Sequence, residues 1–306
     1  MKKDMDPKKK LYLVMVLSAV ALVVMLLIGK YQQEKTIKKK TAISVTAKAA
    51  EVENKTSTGE NKADGSGEQK SPSEDGEQKK PVFLESVQDL KVGKKLSEEQ
   101  LDMKHIGKYF TAQKIRKGDA VYRRINGKSY VKNPHVKLSD LRYLKMLHYN
   151  FKGEIRVGEM IVHKSVAKDV RSVFAALFKK KYPIRRMYLV EKYWAGDSTS
   201  TDAASIKADN TSCFNYRAII GSTKVSKHAK GLAIDLNPFE NPYVPKHNGR
   251  WDYSALGKKE KAYARDRSPR EHVITTEDAA YKLFVKKGFT WGGGWRSVKD
   301  YQHFER

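Results

Sequence analysis

The longest apolar stretch in the chain covers residues 11–28. As a helix rising about 1.5 Å per residue it would be roughly 27 Å long, close to the hydrocarbon thickness of a bilayer. Lysines at residues 8–10 and at residue 30 flank it. The pattern predicts a transmembrane signal anchor over residues 11–29, preceded by a short cytoplasmic tail over residues 1–10.

Cleavage and orientation of this segment are separate questions. No small-x-small cleavage signature directly follows the apolar run, so an uncleaved anchor is favoured over a cleaved signal peptide. Lysines are dense on both sides, so charge alone does not fix the orientation. The cluster against the N-terminal end favours a cytoplasmic N-terminus, with the rest of the chain extracytoplasmic.

Residues 30–81 have the composition of a disordered, basic and polar linker. Gly, Ser, Thr, Glu and Lys dominate from residue 42 onward, and no aromatic residue lies between Tyr31 and Phe83. Such a segment cannot bury enough apolar surface to fold. We therefore predict a flexible tether.

From residue 82 onward the hydrophobic pattern mixes helical and strand periods, which is typical of an α+β fold. Residues 82–136 are interpreted as a lead-in segment of uncertain structure, with a hairpin that turns at Asn126 and Gly127. Residues 137–306 are interpreted as one further domain.

Capping residues and apolar spacing predict the elements of this domain. Helices are expected to begin at Ser139, at Ser165 and at Thr276 or Asp278. A strand is expected over residues 188–193, a polar loop over 195–210, and further strands over 214–220, 231–237 and 301–305. The last three strands are expected to form a small central antiparallel sheet with flanking helices.

Two of these short strands carry chemically informative side chains. In residues 232–237 larger apolar residues alternate with smaller or polar ones, so Asp235 lies on the face opposite the core. His303 shares a strand face with Tyr301 and Glu305. Gly231 allows the chain to turn, so His228 can fold back toward Asp235.

Two imidazoles and one carboxylate form a ligand set that suits Zn²⁺ and leaves a fourth position open for water. Asp300, three residues before His303, could serve that water as a base. The alternative is that His228 and His303 are surface or core residues without a metal, as we expect for the other six histidines.

The formal net charge of +26 limits the classes of partner. Nucleic acid, a membrane surface or an anionic wall polymer would each be attracted to such a chain. No nucleic-acid module and no basic stripe interleaved with aromatic residues is present, so nucleic acid is not expected. The single cysteine, Cys213, cannot form an internal disulfide and is interpreted as a small buried residue.

A longer string unites these residues: Ser-x-His-x-x-Gly-x-Ala-x-Asp-x-Asn-Pro from Ser226, then Trp-Gly-Gly, then Asp-x-x-His-Phe. It resembles the family of zinc D-alanyl-D-alanine carboxypeptidases and L-alanyl-D-glutamate endopeptidases. That family includes vancomycin-resistance D,D-peptidases and phage endolysins, and it shares its fold with the Hedgehog signalling domain. The resemblance implies that residues 137–306 are a zinc peptidase catalytic domain.

The resemblance also implies roles for individual residues. His228, Asp235 and His303 would bind zinc, and Asp300 would be the general base. Arg217 matches the family's substrate-binding or transition-state arginine, although a surface ion pair is its alternative interpretation. Ser226 and Tyr216 are further candidates for substrate binding. The family often has an acidic residue where this chain has Gly294, which leaves any role of a carboxylate there in doubt.

The implied activity is hydrolysis of peptidoglycan stem peptides by metal-activated water. Endopeptidase cleavage between L-Ala and D-Glu and carboxypeptidase removal of D-Ala are both compatible, and the resemblance to endolysins favours the first. Stem peptides and anionic wall polymers would be the partners, and the membrane would be contacted through the N-terminal helix. The alternatives are a catalytically silent wall-binding or signalling module on the same fold, and an unrelated basic membrane protein with structural histidines.

Overall fold

The computed structural model of the protein describes residues 83–219, 222–268 and 270–306. This part of the chain is α+β, and its strands form three sheets in which every pair of neighbours is antiparallel. The strands are β1 (Lys95–Leu96), β2 (Thr111–Lys114), β3 (Leu141–Tyr149), β4 (Ile155–His163), β5 (Ala233–Asp235), β6 (Tyr243–His247), β7 (Arg250–Trp251), β8 (Thr290–Trp291), β9 (Val298–Asp300) and β10 (His303–Glu305).

Helices connect and cover these strands. The α-helices of the described residues are α1 (Ala120–Ile125), α2 (Ala167–Lys179), α3 (Ser198–Lys207), α4 (Lys258–Arg265) and α5 (Ala279–Lys286). Short 3-10 helices occur at Glu98–Gln100, Ile106–Tyr109, Leu138–Asp140, Val190–Tyr193, His228–Lys230 and Gly292–Gly294.

The largest sheet has the strand order β1-β4-β3-β2 and forms one wall of the main core. β3 and β4 pair along their full nine residues. α2 packs on this sheet because Val170, Val173, Phe174 and Leu177 recur at helical spacing and are all buried.

The two smaller sheets carry the sequence motifs. One has the order β5-β10-β8 and the other the order β7-β6-β9. In the first, Asp235 lies directly opposite His303, and Ile234 opposite Phe304. Because successive side chains alternate between faces, Ile234 and Phe304 enter the core while Asp235 and His303 share the other face.

The predicted fold class is wrong about the number and composition of the sheets. One central sheet was expected from residues 214–220, 231–237 and 301–305, but the structure has three sheets, and the largest lies between Lys95 and His163. The third place beside β5 and β10 belongs to β8, while residues 214–219 contribute only the isolated bridge of Ala218 with Val225.

The membrane part of the predicted fold class is not supported either. Within the described ranges no helix is both long and apolar enough to cross a bilayer. The longest of them, α2, has 13 residues, whereas a span needs about 20. The predicted transmembrane segment at residues 11–29 and the linker at residues 30–81 lie outside the described residues.

Predictions for individual elements had mixed outcomes. The helices expected near Ser165 and from Asp278 are confirmed as α2 and α5, and Asp278 caps α5 through its carboxylate. The N-cap of α2 is Val166 rather than the expected Ser165. The helix expected from Ser139 is wrong, because residues 141–149 form β3. Seven of those nine residues are buried, and a strand covered on both faces loses the alternation that would identify it.

Three further local predictions are wrong for reasons of turn and cap chemistry. The hairpin expected around Asn126 is helix α1 followed by a turn, in which Gly127 has a φ of 74°. Residues 190–193 form a 3-10 helix instead of a strand. The polar loop expected over residues 195–210 contains α3, whose N-cap Asp197 accepts hydrogen bonds from two backbone amides.

Candidate metal centre

Three side chains converge on one point beside the sheet β5-β10-β8: those of His228, Asp235 and His303. One potential ligand atom from each lies within 4.8 Å of the others. Nε2 of His228 is 3.2 Å from Nδ1 of His303, and these two nitrogens lie 3.2 Å and 3.1 Å from the nearest Asp235 carboxylate oxygens. All three residues are buried, so the cluster is shielded from competing solvent.

The orientation of His228 follows from its local backbone. It is the first residue of the 3-10 helix His228–Lys230, and the residue that follows this helix, Gly231, has a φ of 68°. A side chain at Gly231 would lie 2.7 Å from the backbone nitrogen of His163, so only glycine fits this turn. Nδ1 of His228 donates to the carbonyl oxygen of Cys213 at 2.7 Å. Because a carbonyl only accepts, this contact fixes the proton on Nδ1 and leaves Nε2 with a lone pair for a metal.

His303 is oriented from its other ring nitrogen. Nε2 donates to the carboxylate of Glu305 at 3.1 Å, so Nδ1 faces Asp235 and His228. Burial disfavours the charged imidazole, but hydrogen bonds to Asp235 and Glu305 outweigh it and raise the pKa of His303 to about 10. Burial would also raise the pKa of Asp235, yet the two neighbouring imidazoles hold it well below its usual range.

The spacing of the donor atoms fits a zinc ion. Ligands bound at 2.0–2.1 Å to the corners of a tetrahedron lie about 3.3 Å apart. Here the two imidazole nitrogens are 3.2 Å apart, His228 Nε2 is 3.2 Å from Oδ2 of Asp235, and His303 Nδ1 is 3.1 Å from Oδ1 of the same carboxylate. Two imidazole nitrogens and one carboxylate oxygen also match the donor preference of zinc and leave one corner of the tetrahedron open. The residues present therefore fit this ion.

Asp300 lies beside this cluster at the end of β9. One of its carboxylate oxygens is 3.9 Å from Nδ1 of His303, and the other has no hydrogen-bond partner among the described residues. Burial raises the pKa of Asp300 to about 6, with the charge of Asp235 acting in the same direction and the imidazole of His303 against it. A carboxyl group with such a pKa can exchange protons near neutral pH.

The close approach of Asp300 depends on Gly292. A Cβ at position 292 would lie 2.6 Å from the carbonyl oxygen of Asp300 and 3.3 Å from Cβ of His303. Gly294, two residues later, faces open space. The first glycine of this run is thus required by packing around the site, whereas the third is not.

Arg217 is held in a largely buried ion pair. Its guanidinium group lies 2.7 Å from the carboxylate of Asp202 on α3, and both side chains are at most 12% exposed. Its backbone carbonyl accepts from Ser226, two residues before His228. The Nε–H has no partner among the described residues. The ion pair is the alternative that the sequence left open for Arg217, although it is buried rather than on the surface.

Ser226 and Tyr216 are engaged by the protein itself. The hydroxyl of Ser226 accepts from the backbone N–H of His228 at 3.2 Å, so this residue supports a proposed ligand. The hydroxyl of Tyr216 pairs with Nδ1 of His135 at 2.9 Å. In this arrangement neither hydroxyl is brought to the point where the three ligand atoms converge.

Three supporting groups were not assigned from the sequence. Glu305 could have been found, because it shares a strand face with His303. Asp202 gave no signal, since its helix was expected to be a loop. The carbonyl of Cys213 is a backbone group, and no residue type identifies it.

Comparison with known families supports the chemistry of this site. Residues 220–306 match the family model described as D-alanyl-D-alanine carboxypeptidase. The match covers less than a third of the chain but includes His228, Asp235, Asp300 and His303, whereas Arg217 precedes it. It supports a peptidase, and peptidases of this family are generally zinc-dependent. No curated protein and no solved structure matches the chain.

Proposed function

We propose that this chain is a zinc-dependent peptidase that hydrolyses the stem peptides of peptidoglycan. The observation that carries the proposal is the convergence of His228, Asp235 and His303 within 4.8 Å, with Asp300 beside them. The match of residues 220–306 to a carboxypeptidase family supports it independently.

In this proposal the three converging side chains hold zinc, each through the atom that faces the shared point. Zinc, when bound, supplies a Lewis acid that makes water nucleophilic at neutral pH. The carboxylate of Asp300 accepts the proton of the attacking water and returns it to the leaving amine as the peptide bond breaks.

Arg217 is the candidate for substrate recognition. Its ion pair with Asp202 fixes the plane of the guanidinium group and leaves the Nε–H unsatisfied. A shift of Arg217 that exposes this buried N–H would let it donate to a substrate carboxylate or to the oxygen that gains charge during attack. We propose Ser226 and Tyr216 as lesser contributors, since both already hydrogen-bond within the protein.

The substrate class follows from the same family. Both cleavage between L-Ala and D-Glu and removal of terminal D-Ala are compatible with the site; the resemblance to endolysins favours the first, and the matched carboxypeptidase family favours the second. Because stem peptides lie outside the membrane, we propose that residues 137–306 act extracytoplasmically.

The test is mass spectrometry of purified muropeptides after incubation with the full chain, with and without a chelator. We expect metal-dependent release of peptide fragments whose masses identify the cleaved bond. Asp300→Asn serves as the control, since it should retain zinc without turnover. If the metal-loaded unaltered chain binds muropeptides but does not cleave them, the silent wall-binding module is favoured instead.

A further inference from the structure

A basic groove lies on a part of the protein that the proposed peptidase chemistry does not use. It consists of two adjoining cavities of about 450 Å³ and 560 Å³, and Arg185 and Arg186 line both. The first cavity also has Lys152 and Arg156 in its wall, and no carboxylate is among its described lining residues. The second adds three cations, Lys207, Lys259 and Arg270. We call these two cavities together the basic groove.

Most of the charge in the basic groove is not neutralised locally. Among the described residues, no carboxylate lies within 4.0 Å of the side-chain nitrogens of Lys152, Arg185, Lys207 or Lys259. These four side chains are exposed to solvent. An unpaired cation on a protein surface is common, but several that line one concave surface focus a positive potential there.

The acidic residues of the basic groove are buried in its floor. Asp209 and Glu240 are each at most 5% exposed. Burial, reinforced by the charge of Asp209, raises the pKa of Glu240 to about 8. Even with both carboxylates ionised, the pair would offset at most two of the seven cationic side chains that line the basic groove.

The aromatic rings of the basic groove are already in use. The ring of Phe151 stacks on His272 with 3.8 Å between centroids, and the guanidinium of Arg185 lies 5.4 Å from the same ring. Tyr263 is contacted by Phe239 and by the guanidinium of Arg270. Proteins that bind single-stranded nucleic acids use free aromatic rings on which the bases stack. A ligand without bases therefore fits this surface better.

The basic groove is connected to the strand that carries the metal centre. The backbone N–H of Arg185 donates to the side chain of Asn237, two residues after Asp235. A polymer bound along the groove would thus be held by the same folded body that carries the candidate site.

We propose that the basic groove binds an anionic polymer with repeated phosphate groups. The arginines offer planar donor pairs that match phosphate oxygens, and the lysines offer point charges along the walls. Two adjoining cavities suit successive phosphates of one chain better than a single anion. This site is distinct from the peptidase site and does not depend on the proposed function.

The test measures binding of end-labelled polyphosphate to the full chain at two salt concentrations. The groove variant is Lys152→Gln, Lys207→Gln and Lys259→Gln combined. The matched control is Lys180→Gln, Lys224→Gln and Lys286→Gln combined, which removes the same charge from exposed lysines outside the groove. The basic residues before residue 83 are unchanged in both, so their contribution is common to all samples.

The groove variant should bind polyphosphate at least about tenfold more weakly. Its affinity should also depend less steeply on salt, because each lost phosphate contact removes roughly one unit of the logarithmic salt slope. The control should bind as the unaltered chain does. An equal loss in both variants would show attraction by overall charge and overturn the proposal.

Two competitors complete the test. Inorganic phosphate that displaces polyphosphate at equal phosphate concentration would reveal a single-anion site, and a single-stranded oligonucleotide that binds more tightly would reveal a nucleic-acid site. Either result contradicts the proposal. Both lysine variants should cleave soluble muropeptides like the unaltered chain, so failure of the groove and failure of the peptidase are distinguishable.

Discussion

At the scale of residues, the candidate site is defined by which atom of each side chain faces inward. The Cys213 carbonyl fixes His228, and the Glu305 carboxylate fixes His303. The sequence could predict the ligand types from their spacing and strand faces. Glu305 was within reach of the same strand-face argument, but the contacts of Cys213 and Asp202 were not, because the first is a backbone carbonyl and the second lies on a helix that was expected to be a loop.

The ligand assignment predicts that His303→Ala removes both zinc and activity. The variant lacks one of the converging nitrogens, so only two protein ligands remain where a catalytic zinc site uses three. Zinc content by elemental analysis should fall to background, together with loss of muropeptide cleavage. His247→Ala, at an exposed histidine outside the cluster, is the control and should keep both.

The general-base assignment predicts a different outcome for Asp300→Asn. This variant keeps the size of the side chain and the three ligands, so zinc content should be unchanged. Cleavage should fall by about 10²–10⁴-fold, the usual contribution of a positioned base. Unchanged cleavage would remove Asp300 from the base role.

The contact between Glu305 and His303 predicts that Glu305→Gln weakens zinc binding without abolishing it. Loss of an outer carboxylate partner of a ligating histidine typically costs roughly 10–100-fold in metal affinity or activity. Competition with a chromophoric chelator measures this directly. An unchanged zinc affinity would show that the 3.1 Å contact has no role in orienting the ring.

At the scale of elements, local patterns succeeded where apolar and polar residues alternate with a regular period. α2 and α5 follow from their apolar spacing, and the strand faces around Asp235 and His303 follow from alternation. β3 was mistaken for a helix because it is buried on both faces. The pairing of β8 with β10 joins strands of two and three residues, too short for a periodic signal.

The 3-10 helix Gly292–Gly294 provides a matched pair of substitutions. Gly292→Ala places a methyl group 2.6 Å from the carbonyl oxygen of Asp300, so the Asp300–His303 segment must shift. Overpacking of this kind costs about 1–3 kcal/mol of unfolding free energy, and cleavage should fall as well. Gly294→Ala meets open space and should change neither quantity by a comparable amount. Equal effects of the two substitutions would contradict this account of the close approach.

At the scale of the whole molecule, the described residues from 83 onward supply the main core together, with Val87, Leu101 and Phe110 packed in the same cluster as α2 and β10. Sequence patterns predicted the α+β class but not the three-sheet architecture, since sheet order depends on contacts between distant segments.

The buried pair of Asp209 and Glu240 predicts how stability depends on pH. In the folded protein the pKa of Glu240 is about 8, whereas in the unfolded chain its pKa returns to the ordinary value of 4.5. The unfolding free energy should therefore fall as pH rises between these values, by up to about 1.4 kcal/mol per pH unit for one proton. Glu240→Gln should flatten this slope in denaturant titrations. An identical slope in the variant would contradict the assignment.

X-ray absorption at the zinc edge of the full chain measures whether His228, Asp235 and His303 share one zinc ion, as we propose. We expect one zinc per chain with only nitrogen and oxygen neighbours at about 2.0–2.2 Å, and loss of the zinc signal itself in His303→Ala. A sulfur neighbour at about 2.3 Å, or a chain that retains no zinc at all, would contradict it.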